Sequence, residues 1–338
     1  MRTLLATAAP LLAAALLALA GPACAQRPAP PVIGLITKTE SNPYFVKMRE
    51  GALRSAQANG LRLLTAAGKS DNDNASQVTA IENMTAAGAR VILITVNDAK
   101  AIVPALRRAR AKGVVVIALD SPPDPADAAD ALFATDNYEA GLLIGRYARA
   151  ALGAAKPRIA TLDLFPGHPV GAQRHNGFLK GMGPAAPEAR ATTLGRTPEV
   201  ACMADTFGNQ AKGQTAMESC LQRDPAINVV YTINEPSAAG AARALRAAGK
   251  ARSVIVVSVD GGCQGVRDVD AGHIAATAQQ YPVKMAELGV AAAAAWIKGG
   301  RKPSGYTNTG VTLIAKRALP GVASKDVATG LAGCFGAR

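Results

Sequence analysis

The sequence predicts an α/β fold of two doubly wound, Rossmann-like lobes, each built on a parallel sheet, and three observations carry that reading. Five short apolar runs, at 91–96, 114–119, 159–162, 229–233 and 254–259, each stop on polar residues: Asn97 and Asp98, Asp120, Asp163, Asn234 and Asp260. Continuous Val/Ile/Leu runs of this length belong to strands covered by helices on both faces. They alternate with helical stretches roughly every 28 residues, a rhythm that calls for right-handed crossovers and parallel pairing. A chain of 338 residues also exceeds one ordinary core, so two domains are expected. Ligands of such sheets sit outside the carboxyl ends of the strands, which makes the Asp and Asn side chains there a polar rim facing a cleft.

Taken in order, a Pro-rich stretch at 27–31 leads into a first strand at 32–36, a loop at 37–43 and a helix at 44–59 that Gly60 ends. A strand at 61–65 and a helix at 74–87, closed by Gly88, precede the strand that runs up to Asp98. Pro104 falls in the first turn of the next helix, where its missing donor costs least, and Gly113 stops that helix ahead of the strand ending at Asp120. Residues 121–131, with Pro122, Pro123 and Pro125, break the rhythm and read as a loop carrying the chain toward the second lobe. Alternation resumes at Tyr138: a helix to 151, a strand at 158–164, a helix at 171–181, a strand near Ala191, a helix at 212–223, a strand at 228–233, a helix at 237–248 and a strand at 253–259. The alanine run 291–295 is helix-forming filler.

The N-terminus carries a targeting signal: Arg2, an apolar stretch at 11–20, then Ala23-Cys24-Ala25. This reads as a secretory signal peptide, residues 1–25, cleaved after Ala25, with the periplasm as destination. The apolar stretch is shorter than the ~20 residues that span a bilayer, and Gly21 stands where a lipoprotein signal has Leu. Export leaves Cys202, Cys220, Cys263 and Cys334, an even number in an oxidising compartment. Three pairings are open to them; Cys202 with Cys220 would clip a strand–helix segment, and Cys263 with Cys334 would tie the C-terminal tail to a strand-end loop.

Charge and motifs exclude other classes. The formal charge is +13, or +12 once Arg2 is removed, but cations such as Arg107, Arg108, Arg110 and Lys112 are spread along a helix as a solvated face, and no nucleic-acid partner is expected. His168, His175 and His273 lie in stretches without a Gly-x-Ser-x-Gly elbow, and no phosphate-binding or dinucleotide glycine motif is present, so neither catalysis nor a cofactor is expected. A metal site is not expected either, since no Cys-x-x-Cys spacing occurs. Asp98, Asp120, Arg174, Asn234, Asp260 and Gln280 instead offer donors and acceptors for hydroxyl groups, and Tyr44 and Phe45 offer flat apolar faces for the C–H side of a sugar ring. Aromatics form only 4% of the chain, so these two carry weight. The mixture suits a neutral polyol.

Eight motifs follow one another in the order of a known family: Asn42-Pro43-Tyr44-Phe45 with the helix after it, the Asp98 strand end, the strand ending at Asp120, Ala134-Thr135-Asp136-Asn137, Arg174-His175-Asn176-Gly177-Phe178, Asn234-Glu235-Pro236, Val259-Asp260-Gly261-Gly262 and Gln280-Tyr281-Pro282. Together they resemble the ribose/galactose-type periplasmic sugar-binding proteins of ABC transporters, the type I periplasmic binding protein fold. The stretch 206–221, the Asn234-Glu235-Pro236 loop and the terminal cysteine are most similar to the fructose-binding branch, and Glu235 departs from the Asp of ribose binders. The resemblance implies two discontinuous lobes, 32–134 with 281–309 and 135–280 with 310–338, joined by a three-segment hinge. It implies a ligand set of Asn42, Tyr44, Phe45, Asp98, Asp120, Arg174, Asn234, Asp260 and Gln280, with Thr206 or Phe207 near a further contact. The implied ligand is a monosaccharide, fructose first, and the implied partners are an inner-membrane permease and its ATPase. A chemoreceptor or sensor kinase is the alternative partner, and ribose, galactose, xylose or inositol the alternative ligand. The protein is expected to be a monomer that closes on its ligand without chemistry.

Overall fold

The computed structural model describes residues 29–183 and 191–336, so the expected leader peptide lies outside the described residues. The first half runs β1 (Val32–Thr37), α1 (Pro43–Ala58), β2 (Arg62–Ala67), α2 (Asn74–Ala86), β3 (Val91–Ile94), α3 (Val103–Ala111), β4 (Val115–Leu119) and β5 (Ala131–Ala134). The second runs α4 (Asn137–Leu152), β6 (Ile159–Asp163), α5 (Pro169–Met182), β7 (Val200–Asp205), α6 (Gln210–Arg223), β8 (Val229–Thr232), α7 (Glu235–Ala247), β9 (Ile255–Asp260), α8 (Cys263–Asp270) and β10 (Ala276–Gln279). α9 (Pro282–Ile297), β11 (Gly305–Asn308), β12 (Thr312–Ala315) and α10 (Val327–Gly333) complete the chain.

Two six-stranded sheets result, in the orders β11-β5-β4-β3-β1-β2 and β12-β10-β9-β8-β6-β7. All pairings are parallel except β10 with β12. The chain therefore passes from the first sheet to the second after β5, returns after β10 and crosses again between β11 and β12. Central strands such as β3 and β4 are buried along their whole length, as parallel strands between helix layers must be. One face of the first sheet packs Leu35, Leu93 and Ile117 against Met48 of α1 and Met285 of α9. In the second sheet, Tyr231 and Val257 lie under Ile144 of α4 and Phe178 of α5.

The pair α4 and α5 meets at glycines. A Cβ on Gly141 would collide with the Arg174 backbone carbonyl, and one on Gly177 with that of Tyr138. Such close approach fixes the helix that carries Arg174.

Three expectations need correction. The strand placed near Ala191 is β7, at Val200–Asp205. Residues 193–195 instead hydrogen bond to α5 side chains: Asn176 donates to Thr193 O and accepts from Gly195 N, and His175 bonds Gly195 O. The Pro-rich stretch 121–131 does not lead directly to the second lobe, because the chain first returns beside β4 as β5. β3 stops at Ile94 rather than running up to Asp98. Both disulfides are formed, Cys202–Cys220 and Cys263–Cys334.

Candidate functional site

The carboxyl ends of both sheets face one cavity, whose lining includes Asn42, Tyr44, Phe45, Asp120, Arg174, Asn234, Asp260 and Gln280. Eight of the nine expected residues thus meet. Asp98 does not: it is exposed, and its Oδ1 accepts from the backbone N–H groups of Lys100 and Ala101, at 2.9 Å each. Since β3 ends four residues earlier, the intervening chain carries Asp98 away from the rim.

Each lining residue is placed by local structure. Asn42 is the N-cap of α1, its Oδ1 accepting from Tyr44 N at 3.0 Å, with Pro43 pre-set for the first helical turn. This turns Tyr44 and Phe45 inward, edge to face at 5.3 Å. Tyr44 also donates its hydroxyl proton to Asp120 Oδ1 at 2.8 Å; burial and the Asp120 charge hold the phenol well above its ordinary pKa of 10.0. Asp120 follows β4 immediately and adopts φ 62°, a left-handed conformation that Asp tolerates better than bulkier residues. Ser121 Oγ donates to its other oxygen at 3.0 Å.

From the second sheet, Arg174 is anchored by Nε donating to Asn137 Oδ1 at 2.7 Å and Nη1 donating to Ile233 O at 2.9 Å. Its Nη1 lies 3.6 Å from Asp260 Oδ1. Asn234 caps α7, accepting from Ser237 N at 3.1 Å and donating to Gly208 O at 3.1 Å. Gln280 donates to Asp260 Oδ1 at 2.8 Å, while its buried Oε1 has no hydrogen-bond partner among the described residues. A ligand hydroxyl would supply the missing donor.

Asp260 sits at φ 138° and is supported from behind by Glu235. The Glu235 carboxylate accepts from Gly261 N (2.8 Å), Gly262 N (2.9 Å) and Thr277 Oγ1 (2.8 Å). Gly265 leaves the space this carboxylate fills, since a Cβ there would overlap it. Burial, then the neighbouring Asp260 charge, pushes Glu235 up to about 8. Burial likewise raises Asp260 to about 7, against the opposing pull of Arg174.

Two lining residues gave no sequence signal. Lys38, just past β1, and Asp71, in the loop after β2, both line the cavity. Lys38 Nζ lies 3.2 Å from Nε2 of His168, which precedes α5. Burial lowers the Lys38 pKa while the Asp120 and Asp71 charges oppose that shift; burial also raises Asp71. Thr206 and Phe207 do not reach the lining, where Gly208 stands instead. Thr206 donates to Asp163 O, and Phe207 stacks on Phe165. Asp163, another strand end, is buried against His175 Nδ1 at 2.8 Å and serves the interior of the second lobe. Among the described residues, no group of three or more His, Cys, Asp or Glu is arranged to hold a metal ion.

The site therefore offers carboxylates, two cations, amides and aromatic faces around one cavity. The chain has relatives among known proteins. The model of the periplasmic binding protein domain family matches residues 33–302. A ribose import binding protein of Salmonella typhimurium is 30% identical over 274 residues, 81% of this chain and 87% of that protein. The D-allose-binding periplasmic protein of Escherichia coli is 27% identical over 262 residues, 76% of this chain and 81% of that one. Among solved structures, a periplasmic solute-binding protein of an ABC transporter from Actinobacillus succinogenes with bound D-allose superposes with a TM-score of 0.74 at 27% identity, covering 85% of this chain and 98% of that one.

Proposed function

The chain belongs to the periplasmic binding protein domain family, and from that membership we propose that it captures a neutral monosaccharide between its lobes in the periplasm and delivers it to an ABC transporter permease. The observation that carries this is the convergence of Tyr44, Phe45 and Asp120 from one sheet's layer with Arg174, Asn234, Asp260 and Gln280 from the other's around a single cavity. Aromatic faces suit the C–H side of a sugar, and bidentate polar groups suit its hydroxyls. Three carboxyls, Asp71, Asp120 and Asp260, face two cations, Lys38 and Arg174. Burial raises the Asp71 and Asp260 carboxyls, so the lining carries less negative charge than three full carboxylates would, which favours an uncharged ligand.

The lobes of this proposal are 32–134 with 281–309 and 135–280 with 310–338, and sugar capture closes them by bending at the three crossings between sheets. Relatives named for ribose and allose make aldoses of that class the first ligands to try. Fructose stands beside them on the resemblance of residues 206–221 and the terminal cysteine to the fructose-binding branch. Calorimetric titration with ribose, allose, fructose, galactose and the anion gluconate tests the reading. Heat of binding from at least one neutral sugar and none from gluconate is expected; a flat response to every neutral sugar removes the proposal.

A further inference from the structure

The C-terminal tail is held to the second lobe yet inserts a side chain into the first. Its backbone is fastened by the Cys263–Cys334 disulfide, by Cys263 N donating to Phe335 O at 2.8 Å, and by a bridge pairing Gly262 with Phe335. Gln279 Nε2 ties α10 to the Asp260 turn, donating to Gly330 O at 2.9 Å and to Gly261 O at 2.8 Å. The Phe335 ring, however, packs edge to face on Tyr44 at 5.3 Å and 84° and is only 7% exposed. Among the described residues it is the one member of that apolar core whose backbone is fastened to the second lobe. Every other member comes from β1 to β5, α1, α9 or the residues that directly flank them.

We propose that Phe335 is a latch between the lobes, with the Cys263–Cys334 disulfide as its tether, and that it sets how much of the ligand-free protein is closed. It acts through Tyr44, whose hydroxyl holds Asp120, and is therefore a positioning residue rather than a ligand contact. Separating the lobes must either draw an aromatic ring out of an apolar core or break the tail from the Asp260–Cys263 turn. Either route opposes opening, so the latch slows release of whatever the cavity holds, and reduction of the disulfide loosens it. The proposal rests on reading the cavity as a ligand site that opens and closes.

The test does not depend on which sugar binds. Spin labels on exposed positions of the two lobes, Arg54→Cys in α1 and Arg246→Cys in α7, report the interlobe distance of the ligand-free oxidised protein. Phe335→Ala is expected to move the distance distribution toward wider separations, Phe335→Tyr to leave it in place, and Cys263→Ser with Cys334→Ser to reproduce the Phe335→Ala shift without adding to it. A ligand-free distribution unchanged by Phe335→Ala overturns the latch. A shift in Phe335→Ala without one in the double serine variant overturns the tether. In a second arm, ribose dissociation is expected to be at least tenfold faster from Phe335→Ala, with association within threefold of the parent. If ribose does not bind, this arm uses whichever neutral sugar does; if none binds, the sugar reading fails and the distances still decide the latch.

Discussion

Lys38 Nζ lies 3.2 Å from His168 Nε2, so one hydrogen bond joins the loop after β1 to the residue ahead of α5 and crosses from one lobe to the other beside the cavity. The pair makes the fold sensitive to acid. Burial, then the Lys38 charge, holds His168 well below its ordinary 6.5. A depressed histidine contributes stability that is present above its unfolded value and lost as the pH falls toward its folded one. Thermal stability of the ligand-free protein should therefore decline as the pH falls below 6.5, and His168→Gln, which can still accept from Lys38, should flatten that decline. Lys38→Met is expected to weaken binding by about 1.5–3 kcal/mol, because a buried charged donor is removed from the lining. Thermal unfolding at several pH values checks the first and calorimetric titration the second, and a parent stability that is level below pH 6.5 refutes the first.

Glu235 gives the opposite slope. Its folded pKa is raised from 4.5 to about 8 by burial and by Asp260, so its contribution is present below 4.5 and lost as the pH rises through 8. Thermal unfolding of the ligand-free protein should show stability falling across that window, and Glu235→Gln should remove part of the fall, Asp260 contributing the rest, while keeping a group that accepts from the Gly261–Gly262 turn. A Glu235→Gln profile parallel to the parent's contradicts this assignment.

Arg174 Nη1 and Asp260 Oδ1 lie 3.6 Å apart in the cavity lining, both largely buried. Arg174→Ala or Asp260→Ala should each cost at least ~1.5 kcal/mol of sugar affinity, because a charge-assisted hydrogen bond is lost. Thermal denaturation run beside the titration separates lost binding from lost folding.

Asp71 and Asp98 should behave in contrasting ways. Asp71 lines the cavity, and Asp71→Asn is expected to reduce affinity by about 1 kcal/mol or more. Asp98 caps the turn ahead of α3, so Asp98→Ala should lower stability by about 0.5–1 kcal/mol and leave the dissociation constant within twofold. The reverse ranking in a paired titration would return Asp98 to the site.

The polar rim was legible in sequence because parallel strands are continuous apolar runs and their last residues must reach the layer where ligands bind. That reasoning found Asp120, Asn234 and Asp260. It equally found Asp98 and Asp163, and nothing local separates the five. β10, β11 and β12 stayed hidden, since ATAQ, GYTN and TLIA lack a long Val/Ile/Leu run.

The sequence by itself determined the two-lobed α/β architecture and the height of the rim along each strand. Only the tertiary structure decided which rim residues look into the cavity. Strand periodicity gives a residue's position along the strand, but its direction depends on the backbone beyond the strand end. Asp120 and Asp260 turn at positive φ, Asp98 has been carried off by the chain after Ile94, and Asp163 is claimed by His175 of α5. Lys38, Asp71, His168 and Phe335 were beyond reach for the same reason. They lie in segments without periodicity, and only contacts across the fold, such as that of Phe335 with Tyr44 nearly 300 residues earlier in the chain, give them a role.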